Sequence, residues 1–311
     1  MTSINSSSFF HYTKRKKSLL GILRNGFRFS YSFETFDEMV AHSDDDNYLP
    51  KFFLLGTEPE PVGIAFPMVC FCDIPLMRAS QHRKRYGNYC IGLDKAATLK
   101  HWSPIINPVY YVNSSWVDNL YEKLAFHKRS LATRVKNEKE FITEIENASQ
   151  DAIPELAKKA KQYMKTAQGY YEFGYTLEQL LRLTKPCIGK DKKGKMVSFY
   201  DEREWRVFWN HNLVSEKKGN IHYGLSRKEY DTSKDGWNKA IKSDYLTFDD
   251  CSVADIISHI IVPKEKDIPE IINAIKNETK VLGKEVTIVD SDIREILMSK
   301  VTSFERIEND F

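Results

Sequence analysis

The sequence predicts an α+β protein. Two observations carry that reading. Short, alternating, strand-like segments lie towards both ends of the chain. Between them, from Trp116 to about Leu183, apolar residues recur at helical three-and-four spacing in a stretch rich in Glu, Lys and Ala. Composition fits a folded chain: 311 residues, 41% hydrophobic and 29% charged, can bury a substantial core without disulfides or a metal. The pattern divides the chain into an N-terminal half of the core at 1–115, a helical insertion at 116–185 and a C-terminal half at 186–311.

The elements follow in order. Residues 9–13 read as a strand with Phe9, His11 and Thr13 on one face and Phe10 and Tyr12 on the other. Residues 14–25 read as a helix whose stripe is Leu19, Leu20, Ile22 and Leu23, with Gly26 as its C-cap. Residues 38–63, polar and holding Asp44, Asp45 and Asp46, read as a loop or lid. Strands are predicted at 66–74, 88–94 and 108–112, with a basic segment from Arg78 to Arg85 before the second. Residues 189–195 form a hairpin-like turn. At 203–209 Trp205, Val207 and Trp209 point one way and Glu204, Arg206 and Phe208 the other. Short strands at 245–248, 256–262 and 286–289, a helix at 267–278 and a largely helical tail complete the chain.

Charge and cysteine content narrow the classes. Lys plus Arg is 46 against 43 Asp plus Glu, a net +3, which excludes a polycationic nucleic-acid coat and leaves room for a local basic groove. Five cysteines without disulfide spacing predict reduced thiols and a cytoplasmic location. Cys70-x-Cys72 lacks the spacing of a zinc site, so no metal is expected. The N-terminus has no apolar signal core, and no run reaches the ~20 residues that span a bilayer, so no membrane is expected. GxSxG, Walker A, GxGxxG and HExxH motifs are absent.

Four pieces hold candidate chemistry: His11-Tyr12-Thr13; Cys70 to Leu76 with the basic segment after it; Tyr86 to Leu93; and Glu202 to Arg206. The strings FHYT, NGF, PMVCFCDIPL and YGNYCIGL, with EREWRVF later, resemble the AbiGi family of abortive phage infection proteins, which is named as an antitoxin component. More distantly, an early H-x-T strand, a helix with an I-L-x-x-G ending and a late strand with Glu before an aromatic resemble the ADP-ribosyltransferase fold, DarT-like toxins being the nearest type.

That second resemblance implies a split β core, NAD as cofactor and transfer of ADP-ribose to nucleic acid, RNA or single-stranded DNA, in anti-phage defence. Breaking the bond to nicotinamide passes through an oxocarbenium-like state, which a carboxylate stabilises. The resemblance gives that role to Glu204, with Glu202 as an alternative on the same strand face. It implies that His11, Tyr12, Thr13, Arg28, Tyr86 and Tyr89 bind the cofactor, and that His82, Arg83, Arg85 and Arg206 bind the substrate. Two other readings stay open. One is an ADP-ribosyltransferase of protein side chains. The other is a non-catalytic antitoxin that sequesters a cognate partner protein, because no counterpart of DarT's catalytic arginine can be placed. The enzyme readings share one geometric requirement: His11 and Glu204 must line a common crevice.

Overall fold

The computed structural model describes residues 6–35, 63–117, 119, 120, 123, 127, 141, 143, 146, 147, 149–190, 194–209, 224–248, 253–285 and 291–310. Of the expected loop at 38–63 only Gly63 is described, as the first residue of a strand; the rest of it and the strand at 286–289 lie outside the described residues. Two compact units emerge. The first comprises 1–34, 63–109 and 200–311, the second 35–62 and 110–199. Residues 186–199, read above with the C-terminal half, group with the helical segment.

The first unit is built on a mixed sheet, which makes the fold α+β. Its strands are β1 (Ser8–Thr13), β3 (Ser30–Thr35, entering the second unit at its last residue), β4 (Gly63–Cys72), β5 (Tyr89–Asp94), β6 (Ile106–Pro108), β11 (Glu204–Phe208), β12 (Leu225–Ser226), β14 (Ile257–Val262) and β17 (Val301–Ser303). The spatial order is β17-β14-β5-β1-β4-β11-β6, with β3 and β12 also paired to β4. β14 and β17 run parallel; the other registered pairs are antiparallel. β1 pairs with β5 over six positions and β4 with β11 over five, yet β1 and β4 meet at a single pair, Phe10 and Cys72. Two ribbons lie off this sheet, β2 (Phe27–Arg28) with β13 (Tyr245–Leu246) and β15 (Lys280–Val281) with β16 (Lys284–Glu285).

Helices cover both faces. On one pack α1 (Lys16–Asn25), α3 (Lys95–Trp102), α6 (Val253–Ile256), α7 (Ile268–Asn277) and α8 (Ser291–Ser299). They bury Leu19, Ile22, Trp102, Ile256, Ile271 and Leu297 against Phe9, Phe71, Ile91 and Val207. Helix α1 starts two residues later than predicted, because Arg15 is extended; it ends as predicted at Gly26, whose φ of 92° few side chains tolerate and whose N–H bonds Ile22 O at 2.9 Å. The opposite face carries a smaller cluster of Phe10, Tyr12, Cys72, Ile74, Cys90 and Ile261. It is covered by Ala79, which precedes α2 (Ser80–Tyr86), and by Phe304 of α9 (Phe304–Asp310). The sequence pattern leaves four helices unassigned: α2, α3, α5 (Arg227–Ala240) and α6.

The second unit holds the long α4 (Ile153–Leu183), opened by Pro154 in its first turn. It also holds the parallel pair β7 (Tyr110–Val112) and β8 (Thr184–Pro186), and the hairpin of β9 (Ile188–Lys190) and β10 (Met196–Ser198). The strand expected at 108–112 is therefore two strands, β6 and β7, in different units.

Candidate functional site

Register decides which predicted residues meet. Residues directly opposite on antiparallel strands share a face. Phe10 is opposite Cys72, and Cys72 is opposite Glu204. Tyr12, Cys70, Cys72, Glu204 and Arg206 therefore lie on the α2/α9 face. Alternation sends His11 and Thr13 to the other face, with Phe71 and Trp205. Contacts agree: the His11 ring meets Phe27 at 5.3 Å and Phe71 at 5.8 Å, and its Nδ1 lies 2.8 Å from the carbonyl oxygen of Cys70. The expected common crevice for His11 and Glu204 is thus corrected. Alternation within each strand was read properly, but the register across β4 puts the two side chains on opposite faces.

The α2/α9 face carries a buried ion network. Arg206 is fully buried. Its Nε donates to Glu204 Oε1 at 2.9 Å and its Nη2 to Glu204 Oε2 at 3.0 Å. Glu34, from β3, stands 3.1 Å from the same guanidinium. Burial works against charge on Arg206, but Glu204, Glu34 and the neighbouring Cys70 outweigh it and hold the pKa well above its usual value. Such a guanidinium is unreachable from solvent, so the expectation that Arg206 binds substrate is corrected as well. Both Glu204 oxygens are occupied by a charge-assisted bidentate pair.

Next to it, Glu202 is 4% exposed and sits in a turn rather than on β11. It leaves the strand because Arg203 takes φ 43°, a left-handed conformation costing a non-glycine residue about 1–2 kcal/mol, yet it stays on the Glu204 side of the sheet. Arg85 Nη1 and the Tyr86 hydroxyl both donate to Glu202 Oε1 at 2.9 Å. The Tyr86 ring lies 4.4 Å from His82, which meets Tyr12 edge-on at 4.9 Å. Arg83 stacks on Phe304 at 3.8 Å and pairs with Glu308. The chain thus brings together Tyr12, His82, Arg83, Arg85, Tyr86, Glu204 and Arg206 of the predicted residues. It holds apart His11, Thr13 and Tyr89 on the other face, and Arg28, exposed in the ribbon opposite Tyr245. The residues assigned to NAD are divided between two faces and a separate ribbon. As placed, they do not form one cradle for it.

Burial sets the remaining chemistry. It pushes the thiols of Cys70, Cys72 and Cys90 up, with the nearby Glu204 adding to the rise at Cys70 and Cys72. At neutral pH these are protonated thiols, poor nucleophiles and poor metal ligands. Burial also raises Tyr12 and lowers His11, which the Cys70 carbonyl only partly offsets. The sequence reading missed Glu34. Its signal was an acid two residues after Ser32, on the strand face that alternates with core-facing Tyr31 and Phe33.

A mixed-sheet protein with a buried ion network and no helix, among the described residues, long and apolar enough to cross a membrane is the class this geometry defines. Residues 61–259 match the model of the family described as "Putative abortive phage resistance protein AbiGi, antitoxin". The chain belongs to that AbiGi family. It is also 26% identical, over 262 residues, to the abortive phage resistance protein AbiGi of Lactococcus lactis subsp. cremoris, covering 79% of this chain and 88% of the relative. No solved structure matches the chain.

Proposed function

We propose that this protein serves abortive phage resistance as a non-catalytic antitoxin, binding and restraining a partner protein. The observation that carries the reading is the commitment of Glu204: both its oxygens are held by a buried arginine that a second carboxylate also claims. A carboxylate so placed stabilises the sheet and is a poor candidate to meet a ribose or activate a nucleophile. The face on which it sits is closed by α2 and α9, and His11 stands behind the sheet. The description of the family as an antitoxin supports the same reading.

One observation favours a second reading, an NAD-dependent ADP-ribosyltransferase of nucleic acid or protein. The sheet parts between β1 and β4 beyond the single Phe10–Cys72 pair, and His11 reaches across that parting to Cys70. This supports a split core of the kind the sequence resemblance implies, but with His11 and Glu204 on opposite faces such an enzyme would have to use Glu204 without His11. One experiment separates the readings. The purified chain is incubated with labelled NAD and separate pools of RNA, single-stranded DNA and host protein. In parallel it is co-expressed with the product of the neighbouring gene. The antitoxin reading expects no label in any pool and relief of the partner's toxicity. Label that disappears in Glu204→Gln would refute it.

A further inference from the structure

The cations expected to hold substrate are occupied: Arg206 by Glu204 and Glu34, Arg85 by Glu202, and Arg83 by Glu308. Lys16 is taken by Glu270 at 2.5 Å. Four others nearby are not. Lys14, Arg15, Lys17 and Lys84 are all exposed, and among the described residues none has an ion-pair partner. They gather around one end of β1, where Gly87, at the end of α2, packs against Thr13 and Lys14. A Cβ there would stand 2.2 Å from the Thr13 carbonyl oxygen and 2.5 Å from the Lys14 nitrogen. The segment Lys84–Gly87 is thereby laid beside Lys14 and the start of α1.

This arrangement is unfavourable for the fold alone. The first turn of α1 has no acid, and Arg15 sits at its N-cap without capping it. Cations there oppose the helix dipole as well as one another. At the same junction the Tyr86 ring, 39% exposed, is held against His82 and anchored through its hydroxyl to Glu202. Unpaired cations beside a fixed, exposed aromatic ring are the elements of a single-strand binding surface: charge for the phosphates and a ring face for a base.

We infer that the junction of β1, α1 and α2 binds single-stranded nucleic acid, with Lys14, Arg15, Lys17 and Lys84 on successive phosphates and a base on Tyr86. The site reads no sequence, because its contacts are to phosphates and to a π-face. It is distinct from partner restraint and does not depend on it.

The test is anisotropy of a fluorescent 20-nucleotide oligo(dT) or oligo(U), titrated with the full chain at several salt concentrations. Four phosphate contacts on a single strand predict a log–log salt slope of about −3. Replacing Lys14, Arg15, Lys17 and Lys84 together by Gln is expected to abolish most binding and flatten the slope, with the melting temperature unchanged or raised. Tyr86→Ala is expected to weaken binding roughly tenfold, and Tyr86→Phe to retain it, since stacking needs the ring alone. Lys228→Gln with Lys242→Gln, both exposed elsewhere, should bind like the parent. Absence of binding at low salt, parental binding by the fourfold variant, or an equal loss in the Lys228/Lys242 control overturns the inference. Competition by poly-glutamate as effective as that by unlabelled oligonucleotide also overturns it, and assigns the surface to an acidic protein. None of these results bears on the toxicity-relief assay.

Discussion

Replacing Arg206 by Met tests whether the ion network is structural. The guanidinium lies about 3 Å from two carboxylates, Glu204 in bidentate contact and Glu34 at 3.1 Å. Charges about 4 Å apart at an effective dielectric of 20 attract by about 4 kcal/mol, so the two pairs together amount to about 8 kcal/mol before desolvation. Burial of three charged groups cancels most of that. Removing the arginine alone takes from both carboxylates the cation they share, and breaking a buried pair this way costs about 3–5 kcal/mol. At about 2–4 °C per kcal/mol for a domain of this size, the melting temperature should fall by roughly 6–20 °C. Urea unfolding of the purified variant gives the free energy directly. Arg206→Met combined with Glu204→Gln and Glu34→Gln should recover most of the loss, because no uncompensated charge remains. A single variant that loses less than about 1 kcal/mol, or a triple variant no more stable than the single, would contradict the network's assigned role.

Other expectations follow from the same geometry. His11 and His259 both have pKa values lowered by burial, with Lys300 also lowering His259. Their stabilising contribution is present above the usual 6.5 and is lost as pH falls from there through the folded-state values. Urea midpoints should therefore drop between pH 7.5 and 5.5, and less so in His11→Gln. Gly87→Ala forces a side chain onto φ 120° and into the Thr13 carbonyl, and should destabilise by at least about 1–3 kcal/mol in urea melts. Cys70, Cys72 and Cys90, held protonated, should react with a thiol-specific disulfide reagent only after denaturant is added; fast labelling of any of them in the native protein, mapped by mass spectrometry, would contradict their placement.

Much of the first unit was legible from short-range pattern. The alternation of FFHYT and EWRVF placed each residue on its correct local face, and the stripe of α1 with Gly26 after it set that helix's end. The candidate site was not legible, for a specific reason. Alternation tells which residues of one strand share a face; it says nothing about how that face relates to a strand nearly two hundred positions away. That relation is fixed by Cys72, opposite both Phe10 and Glu204. Glu202 shares the Glu204 face as expected but stands in a turn, because of the positive φ of Arg203, which EREW does not advertise. Helix α2 was hidden because SQHRKRY is seven residues long, lacks an apolar stripe, and folds by docking His82 and Tyr86 on neighbours.

The lone Phe10–Cys72 pairing gives the sheet a seam. On one side β1, β5, β14 and β17 form a continuous ladder; on the other, β4, β11 and β6 form a second. Each ladder is zipped internally, and little backbone bonding spans them. The sheet of the first unit therefore has a built-in seam in its backbone bonding, bridged mainly by side chains such as the imidazole at position 11. Amide exchange along that line should outpace exchange within either ladder, the two being joined there by packing rather than by backbone bonds.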